Sequence, residues 1–352
     1  MWKRFLFCLL GAFAATMGFA AAVNYAVDAQ GIYHQEKLKA FYEDYARRLI
    51  ASPYGLVDLP TDRPVKIDLA RFADADCFVT GSSHSMQVDN ATMPRLAGVC
   101  RKTVNLAVSG GTFEDFVIMA AAAAGNPGAK RLIVEVSPWA LRFNADPRWT
   151  MSKDAYRAAR TFLGLPPRVD GDDDARLRNL FNAESLRRNL EHAWRQGRNF
   201  AAPPPIVEAN VDGSDLSDGD ARFLPDGAYL YPRSRMAAMP PPIGRIGLGT
   251  YKMTRPFQDA ATAAEFERAI ESLTARGLIV EILLMPYHPK VLECARAYVC
   301  EALGEAEATV RGIAARHGLA VVGGYDPRPM GLTHQDFFDD THISTVAIAK
   351  VH

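Results

Sequence analysis

Five short runs of apolar, largely β-branched residues limit what this chain can become. They are Asp76–Thr80, Thr103–Val108, Leu132–Val136, Leu278–Met285 and Leu319–Val322. A half-buried strand alternates apolar and polar residues; a strand covered on both faces does not, and these runs are nearly continuous. Between them the pattern turns helical: Thr112–Ala124 follows the second run, Ala260–Ala275 precedes the fourth, and Glu305–His317 precedes the fifth. Gly277 and Gly318 stand where the last two helices must stop. Strands alternating with helices predict a parallel sheet with helices on both faces, a three-layer α/β/α fold. In that architecture the chemistry gathers in the loops after the carboxyl ends of the strands. The residues just after each run are therefore the ones to question.

The N-terminus constrains location. Lys3 and Arg4 precede an uncharged run of 23 residues, Phe5–Val27. As a helix that run is roughly 34 Å long, against a hydrocarbon core of roughly 30 Å. The positive-inside rule keeps Lys3 and Arg4 in the cytoplasm and exports the remainder of the chain. A cleaved signal peptide is the competing reading, with Ala20-Ala21-Ala22 as small residues for a peptidase. Both put the bulk of the chain outside the cytoplasm, on the periplasmic or exterior side of a bacterial inner membrane. The expected organisation is an anchor at 1–28, a juxtamembrane segment at 29–73 with a helix over Glu36–Ala51, and an α/β domain at 74–352. The 352 residues, 49% of them hydrophobic, supply a sizeable core. Lys+Arg and Asp+Glu both number 40, so no basic excess points to nucleic acid.

Cys8 lies in the apolar run; Cys77, Cys100, Cys294 and Cys300 are an even set in an oxidising compartment. No Cys-x-x-Cys pair suggests zinc, and neither a metal nor a cofactor is expected. Cys294 and Cys300 can close a small loop if the helix breaks near Ala297. Cys77 with Cys100 is the other pair, with Cys100 several residues ahead of its strand. Residues 140–257 interrupt the strand–helix rhythm with helical pieces at Ala155–Leu163 and Ala175–Arg195, then Pro203-Pro204-Pro205 and Pro240-Pro241-Pro242. The recurring aromatics Trp194, Phe223, Tyr229 and Tyr231 suit a cap over the site; a flexible linker is the alternative.

Three loops carry candidate chemistry. The first strand runs into Gly81-Ser82-Ser83-His84-Ser85, where a Gly two residues before Ser83 can present its hydroxyl at the sheet edge. An ordinary turn of small polar residues reads the same. The second strand runs into Ser109-Gly110-Gly111-Thr112, whose backbone N–H groups and following helix suit an oxyanion hole. A phosphate cradle would need a Lys that is not there. Near the end stands Phe337-Phe338-Asp339-Asp340-Thr341-His342. Asp339, three residues before His342, lies on the same side of one helical turn and can orient the imidazole as a base. Asp340 is the alternative partner. His288, in Pro286-Tyr287-His288-Pro289, and Trp139, after the third strand, are candidate substrate contacts; each could instead be structural. His84 and His334 flank the site without an Asp at the right spacing.

Taken together, Gly81-x-Ser83, Asn105-Leu106-Ala107-Val108-Ser109-Gly110 and Asp339-x-x-His342 occur in the order of the SGNH (GDSL-like) hydrolase superfamily, which residues 74–352 resemble. The resemblance implies a flavodoxin-like sheet with Ser83, His342 and Asp339 as catalytic residues. Gly-Ser-Ser at the nucleophile and the N-terminal anchor look like the D-alanyl transfer protein of teichoic-acid modification and the alginate O-acetylation proteins. Those relatives work outside the cytoplasm, often with a membrane-bound O-acyltransferase that delivers the acyl group. The family's third block, Gly-x-Asn-Asp, reads Ser137-Pro138-Trp139-Ala140 here. Asn144, five residues beyond Trp139, is the nearest substitute; otherwise the hole rests on the N–H groups of Ser83 and Gly110. The expected function is O-acylation of an exported or cell-surface polysaccharide. The alternatives are a periplasmic carbohydrate or lipid esterase, and a non-catalytic binding or scaffold protein.

Overall fold

The computed structural model describes residues 2–29, 32–57, 61–142, 153–168, 177–197, 203, 205–209, 221–231, 239–242, 253, 255–294 and 296–352. In chain order the elements are α1 (Trp2–Val27), α2 (Gln35–Ala51), β1 (Leu56–Val57), α3 (Arg63–Phe72), β2 (Cys77–Thr80), β3 (Thr103–Asn105) and α4 (Phe113–Ala124). Next come β4 (Arg131–Glu135), α5 (Lys153–Phe162), α6 (Ala183–Gln196), β5 (Arg222–Phe223), β6 (Tyr229–Leu230), α7 (Ala260–Ala275), β7 (Ile279–Leu284), α8 (Ala297–Arg316), β8 (Ala320–Gly323) and α9 (Thr345–Ile348).

The five apolar runs form one five-stranded sheet in the order β3-β2-β4-β7-β8. All four pairings are parallel, as a strand–helix alternation requires. Side chains alternate across it with the period of two that strands impose. Phe78, Val104, Leu132, Val134, Val280, Ile282 and Leu284 point into the main core, which α2, α3, α4, α7 and α8 cover. Cys77, Val79, Ile133, Leu283 and Val322 point into a smaller cluster on the other face.

That second face departs from the expected layer of helices. Val88, Met93 and Leu96 from the chain between β2 and β3, with Met330, Leu332, Phe337 and Ile348 from the C-terminal segment, cover it instead. The first stretch holds a 3-10 turn at Pro94–Leu96, and the second holds the four-residue α9. The layer exists, but it is built of turns.

Two boundaries differ from expectation for local reasons. The second strand stops at Asn105 rather than Val108 because the Asn105 side chain accepts from the Ala107 amide at 2.8 Å, which bends the backbone. Leu106 and Val108 still donate to Val79 and Gly81 of the neighbouring strand at 2.7 and 3.1 Å. The helix expected from Glu305 begins at Ala297. Cys294 lies outside it with φ +57°, which supplies the break that the Cys294–Cys300 disulfide needs. Cys77 and Cys100 are also bonded, with Cα atoms 5.7 Å apart. Cys77 is level with Thr103 in the ladder, so Cys100 reaches it from the turn before β3.

Within residues 140–257, β5 and β6 form a hairpin that adds to β1 as a small antiparallel sheet. It sits at the carboxyl end of β3: Asn105 donates to Asp226 O at 2.8 Å, and Tyr229 donates to Met86 O at 2.7 Å. Beneath it the Lys66 ammonium, fully buried, donates to the carbonyls of Asn105 and Gly227. The long apolar α1, with mean hydropathy 2.1, leaves most of its surface uncovered. It packs near its C-terminal end on α6.

Unreduced protein alkylated under denaturing conditions should carry one label, on Cys8, and none on the other four cysteines. Replacing both Cys77 and Cys100 by Ser should lower stability by roughly 3 kcal/mol, the loop-closure value for a loop of this size. Peptide mass spectrometry and chemical denaturation measure the two outcomes.

Candidate active site

β2 delivers the chain to a turn that only a glycine can open. Gly81 has φ +157°, and a Cβ there would lie 2.5 Å from Glu135 Oε2 and 2.5 Å from Ser85 Oγ. The space is filled because Glu135, the last residue of the neighbouring β4, reaches under the turn. Its Oε2 accepts from the Ser82 amide at 2.6 Å and its Oε1 accepts from Ser137 Oγ at 2.8 Å. Ser137 Oγ lies 2.8 Å from Ser82 Oγ, which closes a hydrogen-bonded ring. Burial pushes the Glu135 carboxyl up, and these donors pull it back. From the other side Asn105 Nδ2 donates to the carbonyls of Ser85 and Val88 at 2.7 and 2.9 Å. The turn is thus fixed at both ends, with Ser83 at its crest.

The crest meets the C-terminal loop. Ser83 Oγ lies 2.9 Å from His342 Nε2. His342 Nδ1 lies 2.9 Å from each Asp339 oxygen. A carboxylate only accepts, so Nδ1 carries the proton and Nε2 is left to accept from the serine hydroxyl. The expected convergence of Ser83, His342 and Asp339 is present. The Asp-x-x-His segment is not a helical turn, however. It is a loop closed by the Phe337–Ile343 bridge, and Asp339 Oδ1 holds it by accepting from the amides of Thr341 and His342 at 2.9 and 2.8 Å. Phe338 lies parallel to the His342 ring, with centroids 5.8 Å apart. Tyr231, after the inserted hairpin, packs its edge on both rings.

The second loop is braced from α3. Asp62 Oδ2 accepts from the Ser109 amide at 2.7 Å. Arg63 grips Asp115 through Nε and Nη2 at 2.7 and 2.9 Å and donates to Ser109 O at 3.2 Å. Gly110 takes the left-handed conformation, φ +58°. Gly111 lies so close to the Gly81 turn that a Cβ would be 2.5 Å from Gly81 O. The backbone of Gly110 and Gly111 therefore borders the turn that carries Ser83, at the N-terminus of α4.

The other candidates have different surroundings. Trp139 is buried and donates from Nε1 to Gly111 O at 2.8 Å, so it wedges the glycine loop rather than offering an open face. His288, expected as a substrate contact, has both ring nitrogens engaged: Nδ1 accepts from the Lys290 amide at 3.0 Å, and Nε2 is 2.8 Å from His334 Nδ1. Its own amide donates to Asp340 O at 3.1 Å, so it supports the loop that bears Asp339. Asn144 lies outside the described residues. His84 is buried against Trp139, Tyr287 and His342, with centroids 5.5, 5.3 and 5.3 Å away. Burial and the adjacent His342 hold its imidazole down at about 3, so it stays neutral and does not compete for the proton. Among the described residues, no group of three or more His, Cys, Asp or Glu is placed to hold a metal.

Sequence reasoning missed Glu135, Asp62 and Arg63. Glu135 had a visible signal, an acid ending an apolar strand. Asp62 and Arg63 had none, because their partners are far along the chain. No family model matches the chain, and no curated protein matches it either.

The histidine pair sets a pH dependence. Burial, then His334, hold the His288 imidazole down at about 4. An unfolded histidine titrates near 6.5, so the unfolded chain takes up the proton first. The stability tied to neutral His288 is therefore complete above about pH 6.5 and is lost as pH falls toward 4. Thermal unfolding of wild type and His288→Asn across this range should show their difference shrinking as pH falls; a constant difference would contradict the assignment.

Proposed function

We propose that this chain is an extracytoplasmic serine-dependent enzyme of ester chemistry, held at the membrane by α1. The observation that carries the reading is the line from Asp339 through His342 to Ser83, with both contacts at 2.9 Å. Counted within the sheet, the strands run 2-1-3-4-5, the flavodoxin-like order. Ser83 and Glu135 lie at the ends of the first and third strands, where that order reverses and ligands commonly bind. This supports the SGNH-like reading of the motifs.

The chemistry balances on these residues alone. His342 Nε2 takes the Ser83 proton while Oγ attacks the acyl carbonyl. The carbonyl oxygen becomes an oxyanion, and the amides of Ser83 and Gly110 are the donors we assign to it. His342 then gives its proton to the departing oxygen, leaving the acyl group on Ser83. An acceptor hydroxyl next gives its proton to His342 and attacks the acyl-enzyme; the Oγ–acyl bond breaks, Ser83 Oγ takes that proton back from His342 Nε2, and the acyl group leaves on the acceptor oxygen. With a sugar hydroxyl as acceptor the product is an O-acylated polysaccharide, and a membrane-bound O-acyltransferase is the donor's natural source.

Ser137 and Trp139 direct their polar atoms to Glu135, Ser82 and Gly111, so among the described residues the third loop supplies no side-chain amide in the position of the family's Asn. One donor fewer costs roughly 100- to 1000-fold in rate, which suits a dedicated transferase more than a fast general esterase. The His342 side chain is 15% exposed, and water reaching it favours hydrolysis as the second reading.

Ser83→Ala should lower turnover by roughly 1000-fold or more with the fold intact, and His342→Ala nearly as much. Asp339→Asn should keep residual activity, because it disturbs the tautomer and orientation of His342 rather than removing the base. Asp340→Asn should change little. Acyl transfer from small activated esters to water and to oligosaccharides, together with polymer acylation in cells, measures these effects. A Ser83→Ala variant at the wild-type rate would end the proposal.

A further inference from the structure

One amphipathic helix of the insertion faces the wrong way for a soluble protein. Helix α6 buries polar residues and exposes apolar ones. Its inward positions are Ser185 and Asn189, both buried. Its outward positions include Leu190, 44% exposed, and Trp194, 89% exposed; Phe181 and Leu177 just before it are 42% and 56% exposed. Leu190 and Trp194 are four residues apart and share a stripe.

The contacts of the polar side explain the inversion. Asn24 of α1 is fully buried, and its Nδ2 donates to the carbonyls of Asn179, Leu180 and Asn182 at 3.2, 2.8 and 3.3 Å. Asn189 Nδ2 donates back to Asn24 Oδ1 at 3.0 Å, and Asn189 Oδ1 accepts from the Ala29 amide at 2.9 Å. This polar knot fixes α6 to the end of the apolar helix. From Phe5 to Asn24 an α-helix rises about 30 Å, the thickness of a hydrocarbon core. The knot therefore stands where lipid gives way to water on the exported side. Tryptophan prefers that level, and an amphipathic helix there lies with its apolar stripe among the acyl chains. The neighbouring stripe suits the headgroups: Arg187 and Arg188 pair with Glu184 and Glu191, and Arg195 adds a positive charge.

We propose that α6, with the turn before it, is an interfacial helix that inserts Leu190 and Trp194 into the outer leaflet of the membrane α1 crosses. The proposal rests on the reading of α1 as a retained anchor. At the end of α1 nearest α6, Phe19 and Tyr25 are likewise 56% and 53% exposed. The occupant of this surface is a phospholipid bilayer. The insertion that supplies Tyr231 to the site is then held to the membrane at two places rather than one.

The test uses the full chain in vesicles of phosphatidylethanolamine and phosphatidylglycerol. Cys8→Ser removes the free thiol, and a nitroxide is placed in turn by Leu190→Cys, Trp194→Cys, Arg188→Cys and Arg268→Cys, all exposed positions that spare the core. The labels at 190 and 194 should collide several-fold more with oxygen than with a water-soluble nickel chelate, and those at 188 and 268 the reverse. Water-like collisions at 190 and 194 would overturn the proposal. So would spin–spin broadening at 190 that vanishes on dilution with unlabelled chain, because a second copy would then cover the stripe. Mass spectrometry of the chain extracted from cell membranes separates the two readings. An N-terminal peptide starting at Met1 leaves the anchor standing whatever the labels report, whereas a cleaved N-terminus overturns both.

Discussion

The contact between the Glu135 carboxylate and the Ser82 amide is the constraint on which the candidate site depends. At 2.6 Å it ties the turn that carries Ser83 to the end of the adjacent strand. Burying a carboxylate is expensive unless its oxygens are met, and here the Ser82 amide and the Ser137 hydroxyl meet them. The cost is accepted at the one place in the sheet where it positions a hydroxyl. Ser83 therefore rests on the strand ladder itself and not on a free loop. Such support holds the Ser83 hydroxyl in one place relative to His342.

The same economy appears in the second loop, with partners drawn from outside the parallel sheet. Asp62, Arg63 and Lys66 all come from α3 or the residue before it, and each satisfies backbone of the loop between Asn105 and Ser109. The segment after the apolar helix is thus part of the site's foundation. Its apolar side chains Tyr45, Leu49, Val65 and Leu69 share one core with the sheet. Charged pairs so deeply placed add order when every member is satisfied and cost several kcal/mol when one is removed.

Much of this was legible because it is local. Near-continuous apolar runs gave four of the five strands within one residue at each end and the start of the other, and Ala260–Ala275 matches α7 at both ends. Ser83, Asp339 and His342 were legible because strand ends and the Asp-x-x-His spacing restrict where such side chains can point. The unread features depend on distant pairings. β1 pairs with β5 across more than 160 residues. A two-residue strand has no periodicity to detect. Asn105 ended its strand early through one side-chain bond, and the Cys294–Cys300 bridge let a helix begin eight residues ahead of its expected start.

The glycines at the floor of the site carry a further consequence. Gly81 has Glu135 against it, and Gly111 has Gly81 against it, each at 2.5 Å from where a Cβ would stand. Three loops are stacked there without slack, so a side chain added to any one would lift Ser83 from its base. A change in the shape of this region therefore has to come from residues outside that floor. Tyr231, just after the inserted hairpin, and Phe338 on the C-terminal loop pack on the His342 ring and belong to none of these stacked loops. The molecule separates a floor with no room for added atoms from the aromatic side chains packed on His342.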